Sequence, residues 1–140
     1  MFTYKRRVNF YDTDLMGVVH HANYIRYFEE ARVEYLRAAG WDLTELMNKG
    51  IVFPIVEVEA KYKESARYDE IILIHTCMRN VDRVKLEIEY EAVSEKTGHI
   101  LATGRTVNTF TDTKTGRIVR LPKEKVAGLV EFTKGDRNGQ

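Results

Sequence analysis

Between Ala22 and Ala39 the apolar residues Tyr24, Ile25, Phe28, Ala31, Tyr35, Leu36 and Ala39 recur at spacings of three and four. That spacing lays one wide apolar stripe along a helix. Gly40 follows as a C-terminal stop. A stripe this broad and aromatic predicts a largely buried helix. A shorter helix is predicted over Leu43 to Asn48, closed by Gly50. The period then drops to two. Val56, Val58, Ala60 and Tyr62 alternate with Glu57, Glu59, Lys61 and Lys63, and Leu86, Ile88, Tyr90 and Ala92 alternate with Lys85, Glu87, Glu89 and Glu91. Each run predicts a strand with one core face and one wet face. Ile71 to Met78 is more continuously apolar and predicts a strand buried on both sides. Tyr4 to Tyr11 and His99 to Phe110 supply two more strands. Arg117 to Leu121 extends the second after a turn at Lys114-Thr115-Gly116.

The order is one strand, one long helix, then four or five strands. A single major helix provides no repeated crossovers, so the sheet is predicted to be mostly antiparallel. Its apolar face needs a cover, and the buried helix is the available one. The fold class is therefore α+β: an antiparallel sheet of five or six strands wrapped around one long central helix.

A length of 140 residues fits one domain. It is placed at 1–133, with residues 134–140 as a flexible tail. Hydrophobic residues make up 44% and charged residues 31%, which excludes a disordered chain. Twenty-two Lys and Arg against 21 Asp and Glu leave a charge of +1, too little cation excess for a main partner of nucleic acid. No stretch approaches the ~18 apolar residues of a membrane span, and the start lacks a secretory pattern. Cys77 is alone, so no internal disulfide or Cys-based metal site forms, in keeping with a cytoplasmic location.

The candidate chemistry lies between first strand and helix, in Asp12-Thr13-Asp14-Leu15-Met16-Gly17-Val18-Val19-His20-His21-Ala22-Asn23-Tyr24. A helix start offers unpaired backbone N–H groups and partial positive charge, which polarise a carbonyl or hold an oxyanion. A carboxylate one loop away can then act as nucleophile or general base. That pairing suits acyl transfer. The residue types alone fit a plainer reading better: Asp12 and Asp14 as turn formers, Thr13 bonding locally, His20 and His21 as polar residues at a helix start. Adjacent histidines do not make a two-His metal pair at helical spacing. No Gly-X-Ser-X-Gly elbow appears.

The whole string changes that balance. Arg7-Val8, Thr13-Asp14, Gly17-Val18-Val19, His21 and Tyr24, at their spacings, resemble the signature of the 4-hydroxybenzoyl-CoA thioesterase family, most closely its YbgC-type acyl-CoA thioesterase branch. Tyr27 to Arg32 with Glu34 and Leu36, Ile55 to Tyr68, and Gly116-Arg117 with Arg120-Leu121-Pro122 extend the likeness over about residues 4–130. The family fold is the hotdog, an antiparallel sheet around a long helix.

The resemblance implies that Asp14 is the catalytic carboxylate, attacking the thioester or activating water. It implies that the His21 backbone N–H polarises the carbonyl while the His21 imidazole orients the acyl group or water. It puts Thr13, Gly17, Val18 and Tyr24 beside the substrate. Gly17 also reads as a turn glycine, Tyr24 more simply as a packing residue, and Asp12 as a loop former. CoA phosphates need cations. Arg83 and Lys85 are the candidates, although Asp82 and Val84 interrupt the basic run. Arg67, Arg117 and Arg120 are others, each also readable as a solvated charge. His75 and His99 read as structural or exposed, and Cys77 as a small core residue.

No metal or cofactor is expected. The expected partners are an acyl-CoA substrate, acyl carrier protein as a second docking partner, and further copies of the chain as a dimer of dimers. Two other readings compete: a dehydratase or isomerase on an acyl thioester, and a non-catalytic module that binds acyl thioesters or acyl carrier protein.

Overall fold

The computed structural model describes residues 1–138, with side chains described through Lys134. The elements are β1 (Phe2–Arg7), a 3-10 turn (Phe10–Asp12), α1 (Ala22–Ala38), α2 (Leu43–Asn48), β2 (Ile51–Val52), β3 (Ile55–Tyr62), β4 (Ile71–Val81), β5 (Lys85–Ser94), β6 (Ile100–Thr109), β7 (Thr111–Asp112) and α3 (Lys123–Asn138). Five strands form one antiparallel sheet in the order β1-β4-β5-β6-β3, and β2 pairs with β7 in a small second sheet. The long helix α1 lies against one face of the large sheet, touching β1, β4, β5 and β6. Tyr24, Phe28, Ala31, Tyr35 and Leu36 of the predicted stripe are buried, Tyr27 joins them, and Ile25 and Ala39 are half-buried.

The closest packing is at the middle of that contact. The Phe28 ring stacks on Tyr90 with centroids 4.6 Å apart. Tyr90 pairs across the ladder with Gly104. A Cβ at Gly104 would stand 2.3 Å from Phe28 Cε2, so only glycine lets the helix ring settle onto β6.

Five expectations are corrected. Along β4, Ile72, Ile74, Thr76 and Met78 are buried while Ile71, Leu73, His75 and Cys77 are only half-buried, because α1 covers one face and no described element covers the other. Cys77 is thus on the outer face rather than in the core. The row Val56, Val58 and Tyr62 is exposed, because β3 is an edge strand beyond the part of the sheet that α1 covers, and α1 meets it at Tyr24 beside Tyr62. The first strand ends at Arg7, where the chain turns into the 3-10 segment. Arg117 to Leu121 forms no strand beyond an isolated bridge of Ile118 to Thr111.

Helix α3 has no counterpart in the sequence reading. Its first turn is charged, and Gly128 and Gly135 dilute its apolar spacing. It packs through Leu129, Phe132 and Thr133, with Phe132 edge-on to Tyr35 at 5.3 Å. The segment expected as a tail continues as helical backbone from Lys134 to Asn138, and residues 139–140 lie outside the described residues.

Candidate active site

The chain leaves β1, makes the 3-10 turn, and enters a small antiparallel loop whose two arms are bonded to each other. Thr13 bridges Val19, the Asp14 N–H donates to the Val18 carbonyl at 2.9 Å, and the His20 N–H donates to the Asp12 carbonyl at 2.9 Å. The turn at its tip is closed by the Gly17 N–H on the Asp14 carbonyl at 3.0 Å. Gly17 has φ +76°, a left-handed conformation that glycine adopts without a Cβ penalty. The outer arm is pinned to the chain beyond β3: Val18 bridges Arg67, and the Val19 N–H donates to the Ala66 carbonyl at 2.8 Å.

This loop presents Asp14 to solvent. Its Oδ1 accepts the Met16 N–H at 2.8 Å, which fixes the carboxylate direction, while Oδ2 is bonded to no described residue. Asp12 is opposite in kind. It is buried, its Oδ2 accepting the Asn9 N–H at 2.8 Å and Arg6 at 3.2 Å. One carboxylate of the pair is therefore built into the loop and the other is left available. The Thr13 hydroxyl donates to the Phe10 carbonyl at 2.7 Å, so it is engaged by backbone rather than by either carboxylate.

The outer arm runs directly into α1, with His21 as the residue before the helix. The Ala22 N–H donates to His20 Nδ1 at 3.1 Å and the Asn23 N–H to the His20 carbonyl at 2.9 Å, but no described residue accepts the His21 N–H. An amide donor is thus left open at the positive end of a 17-residue helix. The His21 ring stacks on His20 at 4.3 Å and meets Tyr62 edge-on at 5.8 Å. Tyr24 lies 5.7 Å from the same Tyr62 ring. Burial pushes the Tyr24 phenol up to about 12, and burial together with the Asp12 carboxylate raises Tyr27 further. Both rings are neutral at physiological pH, which makes them walls and donors rather than bases.

Val19, His21, Tyr24, Tyr62, Lys63 and Ser65 line a cleft of about 290 Å³ at the helix start. A larger hollow of about 400 Å³ lies on the outer face of the sheet around His75, Cys77, Arg79, Glu89 and Arg105. Its two arginines are paired, Arg79 with Glu89 at 2.8 Å and Arg105 with Glu57 at 3.0 Å, and the smaller cleft, at the helix start beside the Asp14 loop, is the better chemical candidate. Among the described residues, no group of three or more His, Cys, Asp or Glu is arranged to hold a metal.

The fold brings Thr13, Asp14, Gly17, Val18, His21 and Tyr24 into one loop–helix junction. It does not bring Arg83 and Lys85 there within one chain. Arg7 pairs with Ile71 at the start of β4, whereas Arg83 follows the end of that 11-residue strand, roughly 30 Å away at ~3.3 Å per residue. Arg83 Nε donates to the Leu121 carbonyl at 2.7 Å, tying down the approach to α3. The sequence reading missed Tyr62 as a wall of the cleft, because its alternation marked it as core. Lys63 and Arg67 stand near the loop instead.

The family model of the thioesterase-like superfamily matches residues 8–129. The crystal structure of an Aquifex aeolicus protein has a TM-score of 0.84 and 34% identity, over 92% of this chain and 99% of that one. The DHNA-CoA thioesterase of Staphylococcus aureus has a TM-score of 0.90 and 26% identity, over 99% of this chain and 94% of that one. The acyl-CoA thioester hydrolase YbgC of Escherichia coli O6:H1 is 36% identical over 76 residues, which are 54% of this chain and 57% of that protein. The family match takes in the Asp14 loop, α1 and every strand after β1, the parts that build the cleft. The chain belongs to the thioesterase-like superfamily and is a thioester hydrolase with the hotdog fold.

Proposed function

We propose that this protein hydrolyses acyl-CoA to free acid and CoA, with Asp14 as the reacting carboxylate and the His21 N–H as the carbonyl's electrophilic partner. One observation carries the reading: the bonded loop that exposes a directed Asp14 carboxylate also delivers the open amide donor of α1. The donor draws the thioester oxygen, charge builds on that oxygen, and an amide already in place stabilises it. Either Asp14 attacks the carbon, giving an anhydride that water cleaves, or it takes a proton from the attacking water. In both routes the C–S bond breaks and CoA leaves as a thiol. The exposed His21 imidazole orients the acyl group or the water. Thr13, Gly17 and Val18 shape the loop, and Tyr24 with Tyr62 walls the acyl end.

The acyl donors that the named relatives suggest are a general acyl-CoA and DHNA-CoA. Acyl carrier protein belongs in the same panel as a second thioester donor. The reaction is placed in the cytoplasm. The active form is a homo-oligomer, a dimer of dimers. The edge strand β3, exposing Val56, Val58 and Tyr62, joins a second copy there and completes the cleft. Arg67 and Lys63 of this chain, with Arg83 and Lys85 of another, supply cations for the CoA phosphates.

The test is release of free thiol from a panel of aliphatic and aromatic acyl-CoAs. Asp14→Asn should lower kcat by about a hundred- to ten-thousand-fold with unchanged circular dichroism. A folded variant with full turnover removes Asp14 from the mechanism. His21→Ala removes only the imidazole and should lose much less. Label found in the Asp14 side chain after a single turnover in ¹⁸O-water identifies the nucleophilic route, with water attacking the Asp14 carbonyl of the anhydride; trapping of the anhydride with hydroxylamine identifies that route when water attacks the acyl carbon instead.

A further inference from the structure

We propose that Arg6 and Glu30 are positioning residues for this hydrolysis, joined through Asp12 into a relay that holds the Asp14 loop in register with the start of α1. The proposal rests on reading Asp14 and the helix start as the reacting groups.

The relay connects three segments that are separate in sequence. Glu30, on α1, accepts from Arg6 Nε at 2.9 Å and from the Tyr4 hydroxyl at 2.8 Å, both on β1. The same Arg6 donates through its terminal nitrogen to Asp12 Oδ2 at 3.2 Å in the loop. Its guanidinium also lies 4.9 Å over the Tyr27 ring of α1. The Asp12 carbonyl then accepts from two groups, the His20 N–H at 2.9 Å and Asn23 Nδ2 at 2.7 Å. Asp12 therefore holds the inner arm two residues before Asp14 and the outer arm one residue before His21. Arg6 and Glu30 fasten that residue to the sheet and to the helix body.

Two of the three charges are well shielded: the Arg6 side chain is 14% exposed and that of Asp12 is 5%, while that of Glu30 is 35%. Salt screens the Arg6–Asp12 contact little, so it keeps its direction where a surface pair would fluctuate, and the Arg6–Glu30 contact is held by the hydrogen bond as well as by charge. Burying ions gives little net stability, and the better-attested return is a fixed geometry. Fixed geometry is what the site needs. The reacting carboxylate stands on a loop and the amide donor on a helix, and a misplacement of ~1 Å between such groups costs on the order of a hundred-fold in rate. Without Arg6, the Asp12 carboxylate loses its cationic partner and keeps neutral donors, the Asn9 N–H and the Tyr27 hydroxyl.

Arg6→Met keeps an apolar stem over Tyr27 and removes the fork. Glu30→Gln keeps the shape and removes the charge. Each should lower kcat for acyl-CoA about ten- to a hundred-fold, with KM within about two-fold. Arg6→Lys retains charge without the bidentate reach and should recover part of the loss. The decisive measurement is the double variant Arg6→Met with Asp14→Asn. If Arg6 acts through Asp14, the pair should lose no more kcat than Asp14→Asn alone; a multiplied loss overturns the proposal. Unchanged kcat in Arg6→Met or Glu30→Gln, or a loss confined to KM, overturns it as well. If Arg6→Met does not fold, Glu30→Gln and Arg6→Lys carry the same comparison. Full activity of Asp14→Asn would instead defeat the assignment of Asp14, a different failure from that of the relay.

Discussion

Strand β5 buries Leu86, Ile88, Tyr90 and Ala92 to 2% exposure or less, whereas β3, with the same alternation, leaves Val56, Val58 and Tyr62 at 55%, 45% and 47%. The two strands differ in what covers them. β5 lies in the middle of the sheet with α1 on its apolar face, and β3 is bonded to β6 on one side only. An alternating pattern thus states which face of a strand is apolar and leaves open what covers it. Where the chain itself supplies the cover, the apolar row is core. Where it does not, the row stays at the surface, and here that surface, proposed above to join a second copy, borders the cleft through Tyr62.

The comparison can be broken most sharply by truncation. Ile88→Ala should cost about 2–5 kcal/mol in urea denaturation, because the site is enclosed and cannot collapse fully. A cost near zero would mean that β5 is not the centre of the core. Gly104→Ala forces a Cβ to 2.3 Å from Phe28 and should cost about 1–3 kcal/mol through displacement of that ring from Tyr90. Val58→Lys should leave far-UV circular dichroism intact while weakening self-association in light scattering. Gly17→Ala should cost about 1 kcal/mol of strain at φ +76° and reduce turnover, since the added methyl group meets only Arg67 Nη1, at 3.7 Å.

The smallest effect is on the pH dependence of stability. Tyr24, whose phenol is raised to about 12 from 10.0 by burial, holds its proton more tightly folded than unfolded. The stability this gives is fully present below pH 10 and is lost as pH rises through about 12. Tyr24→Phe should flatten the fall of the urea midpoint over that window. Equal slopes in the parent protein and the variant would show that Tyr24 is solvated.

Much of this was readable along the chain. The bounds of α1 and α2 follow from apolar spacing and from Gly40 and Gly50, both at positive φ. The loop stands out as a candidate because its residues lie within 13 consecutive positions and match a family signature. Other features had no such mark. Arg6 and Glu30 are 24 residues apart and meet only because α1 lies along β1. The family resemblance offers Arg83 as a phosphate ligand, and no local pattern shows that its Nε donates to the carbonyl of Leu121, 38 residues on. The glycines and charged first turn of α3 hid a helix that packing against Tyr35 supports.

The sequence by itself determined α1, α2, the alternating strands with the apolar side of each, and the presence of Asp14 and His21 close before a buried helix. Those properties depend on bonds and spacings a few residues long. The tertiary structure alone decided that Asp12 is a buried anchor while Asp14 faces solvent, that β3 is an uncovered edge, and that Arg6 reaches both Asp12 and Glu30. Burial and charge pairing arise between distant segments, and the local pattern of either partner carries no record of the other.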